Sequence, residues 1–124
     1  MITINCSYGE FFDKITILRI KKNKTTDSDK LKNINYELDN LENNNFFINL
    51  DKNLFEELMI INNKLWDLED EIRRKGTKQE FDCDYIQISE NIRKFNDIRA
   101  EIKRKINLKF DSKIVEEKIY KKNG

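Results

Sequence analysis

The sequence predicts an all-α fold: a long antiparallel helical hairpin (about 53–75 and 84–108) with two N-terminal helices packed against it, in a single helical domain spanning 1–124. Three observations predict it. The 124 residues contain no Pro and only three Gly, so few positions break a helix. Charged residues make 38% of the chain, which suits long amphipathic helices rather than a sandwich or barrel. Finally, two apolar seams fit one another. Leu54, Leu58, Ile61, Leu65, Leu68 and Ile72 recur at alternating four- and three-residue steps, and so do Ile88, Ile92, Phe95, Arg99, Ile102 and Ile106. Set head to tail around a turn near residue 80, 72 meets 88, 68 meets 92, 65 meets 95, 61 meets 99, 58 meets 102 and 54 meets 106. One uninterrupted register of this kind is the mark of an αα-hairpin.

The elements follow in chain order. Residues 1–5 alternate, Ile2 and Ile4 against Thr3 and Asn5, and read as a short extended segment. Ser7 and Glu10 form a capping box that opens a helix over about 8–23, apolar on most of its circumference and therefore buried. Thr25 to Asp29 is a polar break. A second helix, about 29–43, carries the narrow seam Leu31, Ile34, Leu38 and Leu41. Asn43 to Asn45 ends it, and Phe46, Phe47, Ile48 and Leu50 form an apolar connector that must pack somewhere. Next comes the hairpin, with Gly76, Thr77 and Lys78 breaking the pattern at its turn. On its first helix a second stripe, Phe55, Met59, Asn62, Trp66, Asp70 and Arg73, lies about a third of a turn from the seam and makes this the central helix. After residue 108 a short terminal helix is expected, capped by Asp111 or Ser112 and ending in VEEKIY.

Composition bounds the chemistry. With no histidine, His-based triads, His-ligated zinc and imidazole acid–base catalysis are excluded. Cys6 and Cys83 match no metal spacing and read as reduced thiols of a cytoplasmic protein. Neither a signal peptide nor an apolar run of the roughly 18 residues needed for a membrane span is present. Lys (18), Ile (18) and Asn (16) dominate, as in an AT-rich genome, so exposed Lys and Asn carry little functional information.

Charge is segregated. Residues 37–71 hold ten acids and two lysines, 101–124 eight bases and four acids, and 10–24 five bases and two acids. Basic ends can lie across an acidic middle, within one chain or between two, and a two-fold homodimer is expected. A net charge of +1 argues against a nucleic-acid partner.

Six residues are candidates for a ligand site. Arg99 sits in the seam opposite Ile61, where a guanidinium must find a partner or reach water. It either fixes register, pairing with Glu57 or a backbone carbonyl, or offers an anion its bidentate fork. Trp66, Asp70 and Arg73 share one face with Glu69, and Lys14 and Arg19 of the first helix are their expected neighbours. Such a group is either a Trp anchor beside interhelical ion pairs or an aromatic floor for a polar ligand. A Mg²⁺ set of Asp67, Asp70, Asp97 and Glu101 would make a nucleotide or sugar-nucleotide hydrolase. In the register above, however, Asp70 and Glu101 stand roughly 16 Å apart along the hairpin. Gly9 eases the turn into the first helix, whose N-terminal amides offer a weak anion site. No phosphate-binding glycine loop exists, and no cofactor, metal site or catalytic residue is assigned.

Four segments, CSYGEFFDKITIL at 6–18, LWDLEDEIR at 65–73, FNDIRAEIKRKIN at 95–107 and VEEKIY at 115–120, resemble a small bacterial family known as a domain of unknown function. The resemblance is collinear and covers nearly the whole chain. Members of that family stand beside glycosyltransferase and surface-polysaccharide genes. This implies a role accessory to lipopolysaccharide or capsule synthesis, with a glycosyltransferase as a possible protein partner. It supplies no catalytic residue. Trp66, Asp70, Arg73, Asn96, Asp97, Arg99 and Glu117 fall inside the matching segments, while the connector at 43–53 and the tail after Tyr120 depart from them.

Overall fold

The computed structural model describes residues 1–48 and 51–120. Five helices run in the order α1 (Tyr8–Lys24), α2 (Ser28–Glu42), α3 (Asn45–Ile48), α4 (Lys52–Thr77) and α5 (Cys83–Lys109), and no strand occurs among the described residues. The fold is all-α, as predicted. The extended segment at the N-terminus pairs with nothing regular, and Ile2 and Ile4 stand in solvent.

The long hairpin is α4 against α5. Lys109 pairs with Asp51, the Lys64 ammonium lies 5.6 Å from the Phe95 ring centroid, and Lys75 meets Asp82 at 3.1 Å. These contacts run from the open end of the hairpin to its turn in the register the two seams require. Local chemistry starts each of the four long helices at a polar cap: Ser7 accepts from the Glu10 amide, Asp27 from Asp29 and Lys30, Asp51 from Leu54, and Asp82 from Tyr85. Only half of the expected capping box at α1 forms. The Glu10 carboxylate turns away from Ser7 and takes the Lys103 ammonium of α5 at 2.8 Å.

The turn between α4 and α5 differs in detail from the expectation. Gly76 remains helical, and the left-handed residue is Gln79, at φ 58°. The Glu80 amide donates to the Lys75 carbonyl and the Gln79 amide to Gly76, the two bonds of a Schellman closure. The same device ends α5. Asp111 is left-handed at φ 51°, Ser112 donates to the Asn107 carbonyl and Asp111 to Leu108. That reversal corrects the terminal-helix expectation: residues 112–120 are not helical but run back along α5.

Helix α1 lies on the hairpin. Gly9 faces Lys103 and Asn107, Asp13 reaches Arg99 and Asn62, and Lys24 reaches Asp67, so α1 runs with α4 and against α5. The core joins Phe12, Ile15 and Leu18 of α1 to Leu38 of α2, Leu58 and Ile61 of α4, and Ile102 and Ile106 of α5. Phe12, Ile15 and Leu58 are wholly buried. The connector is pinned as its apolar content requires: Phe46 meets Tyr8 edge-on at 5.5 Å, and Phe47 meets Phe55 at 6.2 Å. Leu50 lies outside the described residues. Toward the hairpin turn α1 no longer covers the seam, and Leu68, Ile72 and Ile88 are only half-buried.

Candidate functional site

The site begins with a buried carboxylate. Asp13, on the α1 face that packs into the hairpin, is 2% exposed. A carboxylate removed from water needs several donors to remain charged without penalty. Its Oδ1 accepts from Arg99 Nε at 3.0 Å and from Asn62 Nδ2 at 2.8 Å, while Oδ2 takes Arg99 Nη2. Thr16 completes the cluster, donating to the Asp13 carbonyl at 2.6 Å and accepting from Asn62 at 2.7 Å. The seam Arg therefore pairs with α1, and not with Glu57 as the register reading had it. The bidentate pair raises the Arg99 pKa: the hydrogen bond to Asp13 outweighs the desolvation that opposes it.

One turn further along α5, Lys103 is 13% exposed at its side chain and sits among Glu10 at 2.8 Å, Glu116 at 3.3 Å and Asp13 at 3.9 Å. Burial disfavours its charge, but the hydrogen bond to Glu10 and the fields of the three carboxylates prevail, and its pKa is raised. Next in line, the Asn107 side-chain oxygen accepts from the Gly9 amide at 2.6 Å, and Ser112 Oγ accepts from the Tyr8 amide at 3.4 Å. The amides at the start of α1 are thus filled by the chain itself and do not form the anion site anticipated there. Gly9 is required for contact rather than for a turn, because a Cβ would stand 2.6 Å from the Lys103 carbonyl oxygen.

Above this network a groove of about 1190 Å³ separates α5 from the tail at 112–120. Arg99 forms part of its lining, with 30% of its side chain exposed. Two of its nitrogens are spent on Asp13, and Nη1 donates to nothing among the described residues. The tail is held along the groove by Glu116 on Lys103, Glu117 on Arg104 at 3.2 Å, and the Tyr120 hydroxyl donating to Asp97 at 2.9 Å. Asn96, Asp97 and Glu101 supply further hydrogen-bonding groups.

The other predicted site residues do not converge. Lys14 turns to Glu37 of α2 at 3.1 Å. Arg19 bonds Glu42 at 2.8 Å and lies over the rings of Phe47 and Phe55 at 5.4 and 5.0 Å. Arg19 thus touches the apolar end of the stripe at Phe55, but neither residue bonds to Trp66, Asp70 or Arg73. Trp66 is half-buried, and Asp70 and Arg73 are exposed with no ion pair among the described residues. Asp67 goes to Lys24 and Asp97 to Tyr120 and Arg93. Among the described residues no three His, Cys, Asp or Glu side chains are placed to share a metal ion. No described helix is long and apolar enough to cross a membrane.

Sequence reasoning missed Asp13, Lys103, Asn107 and Glu116. Asp13 carried a signal: it is an acid on a helix otherwise read as apolar around most of its circumference, nearly two turns from the cap. Comparison with protein-family models, curated proteins and solved structures gives no match.

Proposed function

We propose that this chain is a non-enzymatic helical ligand-binding and interaction module, accessory to bacterial surface-polysaccharide synthesis, and that its ligand is a polar, sugar-bearing molecule held in the groove along α5. The observation that carries the reading is Arg99: a buried carboxylate fixes its fork, and its partly exposed side chain lines the groove. An arginine immobilised in this way meets a ligand oxygen with little further loss of side-chain freedom. Asn96, Asp97 and Glu101 suit sugar hydroxyls, which both donate and accept. The accessory role rests on the family resemblance, as does a glycosyltransferase partner. A cytoplasmic location rests on the two free thiols, Cys6 and Cys83, both exposed.

In the same reading the chain pairs with a second copy through the part of the hairpin that α1 leaves uncovered. Asp70 and Arg73 stand three residues apart on α4, both exposed, beside half-buried Trp66. A two-fold axis between them sets Asp70 of each copy against Arg73 of the other, an isologous arrangement. Sedimentation equilibrium checks it: Arg73→Asp disrupts the dimer, and Asp70→Arg combined with Arg73→Asp restores it.

Thermal unfolding with nucleotide sugars, with and without Mg²⁺, tests the module. A ligand at a hundred times its dissociation constant adds about 2.7 kcal/mol, on the order of 10 °C for a chain of this size. A shift with nucleotide sugar alone, reduced in Arg99→Lys, is the expected result. A shift that requires both Mg²⁺ and nucleotide would instead indicate a metal-dependent hydrolase.

A further inference from the structure

We infer that the groove recognises a phosphoryl group, and that the chain's own Glu116 and Glu117 cover the cations that bind it. The inference deepens the ligand-module reading and rests on it. Arg99 and Lys103 are one helical turn apart on α5 and Arg104 follows directly; with Arg93 they make four α5 cations lining the groove, beside Asp97 and Glu101. Arg99 keeps Nη1 uncommitted, while Lys103 and Arg104 carry the two tail carboxylates at 3.3 and 3.2 Å. Carboxylate oxygens at those positions mark where phosphoryl oxygens would sit, since both anions use the same charge-assisted bonds to Arg and Lys.

The tail is built to be exchanged. Beyond the Ser112 amide on the Asn107 carbonyl, its polar links to α5 among the described residues are Glu116–Lys103, Glu117–Arg104 and Tyr120–Asp97. Of its apolar side chains Ile119 is 97% exposed and Ile114 44%, and Val115 is half-buried. The Glu117–Arg104 pair, exposed on both sides, is individually weak. A phosphate ester near pH 7 offers close to two negative charges and three acceptor oxygens in one compact group. It therefore offers Arg99, Lys103 and Arg104 more charge and more acceptor oxygens than either carboxylate of the tail does. Lys103, largely buried, always needs an anion beside it; when Glu116 leaves, the phosphoryl group replaces it and Glu10 stays.

The test is calorimetric titration of the full chain at low ionic strength with a hexose 1-phosphate, with inorganic phosphate and with the neutral hexose. The wild-type chain is expected to bind the ester more tightly than inorganic phosphate, and the neutral sugar weakest. Glu116→Gln combined with Glu117→Gln should tighten the ester about tenfold, since the competing carboxylates are gone. Arg99→Lys should weaken it by a similar factor. Arg104→Gln, at a half-exposed position, should weaken it several-fold even if the Arg99 variant does not fold. Unchanged affinity in the double Gln variant would overturn the covering role of the tail. Equal binding of neutral hexose and ester would overturn phosphoryl recognition while sparing the ligand module. Absence of binding by every variant to these probes and to nucleotide sugars would overturn both.

Discussion

A methyl group on Gly9 would stand 2.6 Å from the Lys103 carbonyl oxygen and 3.0 Å from Asn107 Oδ1, and the first of these atoms is backbone that cannot rotate away. Gly9→Ala is therefore expected to cost about 2 kcal/mol in urea unfolding, by pushing α1 off α5. The cost should fall on the site as well, because Asp13 lies one turn further along the displaced helix. Arg99→Leu leaves the Asp13 carboxylate with Asn62 and a Lys103 ammonium at 3.9 Å, and should destabilise the fold by about 3 kcal/mol. The Asp13→Leu, Arg99→Leu double variant should recover most of that loss, since an apolar pair removes the stranded charge. A loss in the double variant equal to the sum of the two single losses would show that the pair is not coupled. Arg99 was legible as an anomaly, because an apolar seam makes any charge conspicuous. Its partner was not, since nothing local tells an acid on α1 which of two facing helices it will meet.

Among the helices, terminal chemistry is the part most open to improvement. Gln79 holds a left-handed conformation, and a side chain there costs about 1 kcal/mol relative to glycine. Gln79→Gly should raise the unfolding midpoint by about 4 °C. Asp111→Gly should raise it less, because Asp tolerates that conformation better. The seams that define α4 and α5 were readable since side chains repeat with the helical period whatever they pack against. Gly76 misled in the opposite direction: it continues the helix, and the backbone reverses three residues later. The tail at 112–120 was also misread. Its charges suit a helix, but the Schellman reversal at Asp111 directs the chain back onto α5, where ion pairs hold it extended.

For the molecule as a whole, docking of that tail closes the fold, and its hold depends on pH at both ends of the range. The hydrogen bond from Lys118 and the field of Lys103 keep the Glu116 carboxyl below its ordinary range. A lowered folded-state value means that its contribution is present above the ordinary carboxylate range and is lost as pH falls through it, near pH 4 and below. The bond to Asp97 raises the Tyr120 hydroxyl, so that contribution is present below the ordinary phenol range and is lost above about pH 10. The order of residues 113–120, read as backbone NMR order parameters, should accordingly be highest between these limits and fall on either side. It should also fall with added salt, because Glu117–Arg104 is exposed. Order that ignores both pH and salt would mean that apolar contacts hold the tail.

The sequence by itself determined the four long helices, the antiparallel register of the hairpin and the burial of α1, because periodicity and capping are local and survive any arrangement of neighbours; the short α3 and the non-helical tail were not legible in it. Only the tertiary structure decided the site. The contacts Asp13–Arg99, Gly9–Lys103 and Tyr8–Ser112 join residues 86 to 104 positions apart, or nearly so. Which side chains converge at such separations depends on how α1 is inclined across the hairpin and where the chain turns after Phe110. Those are properties of packing, which no spacing along the chain encodes.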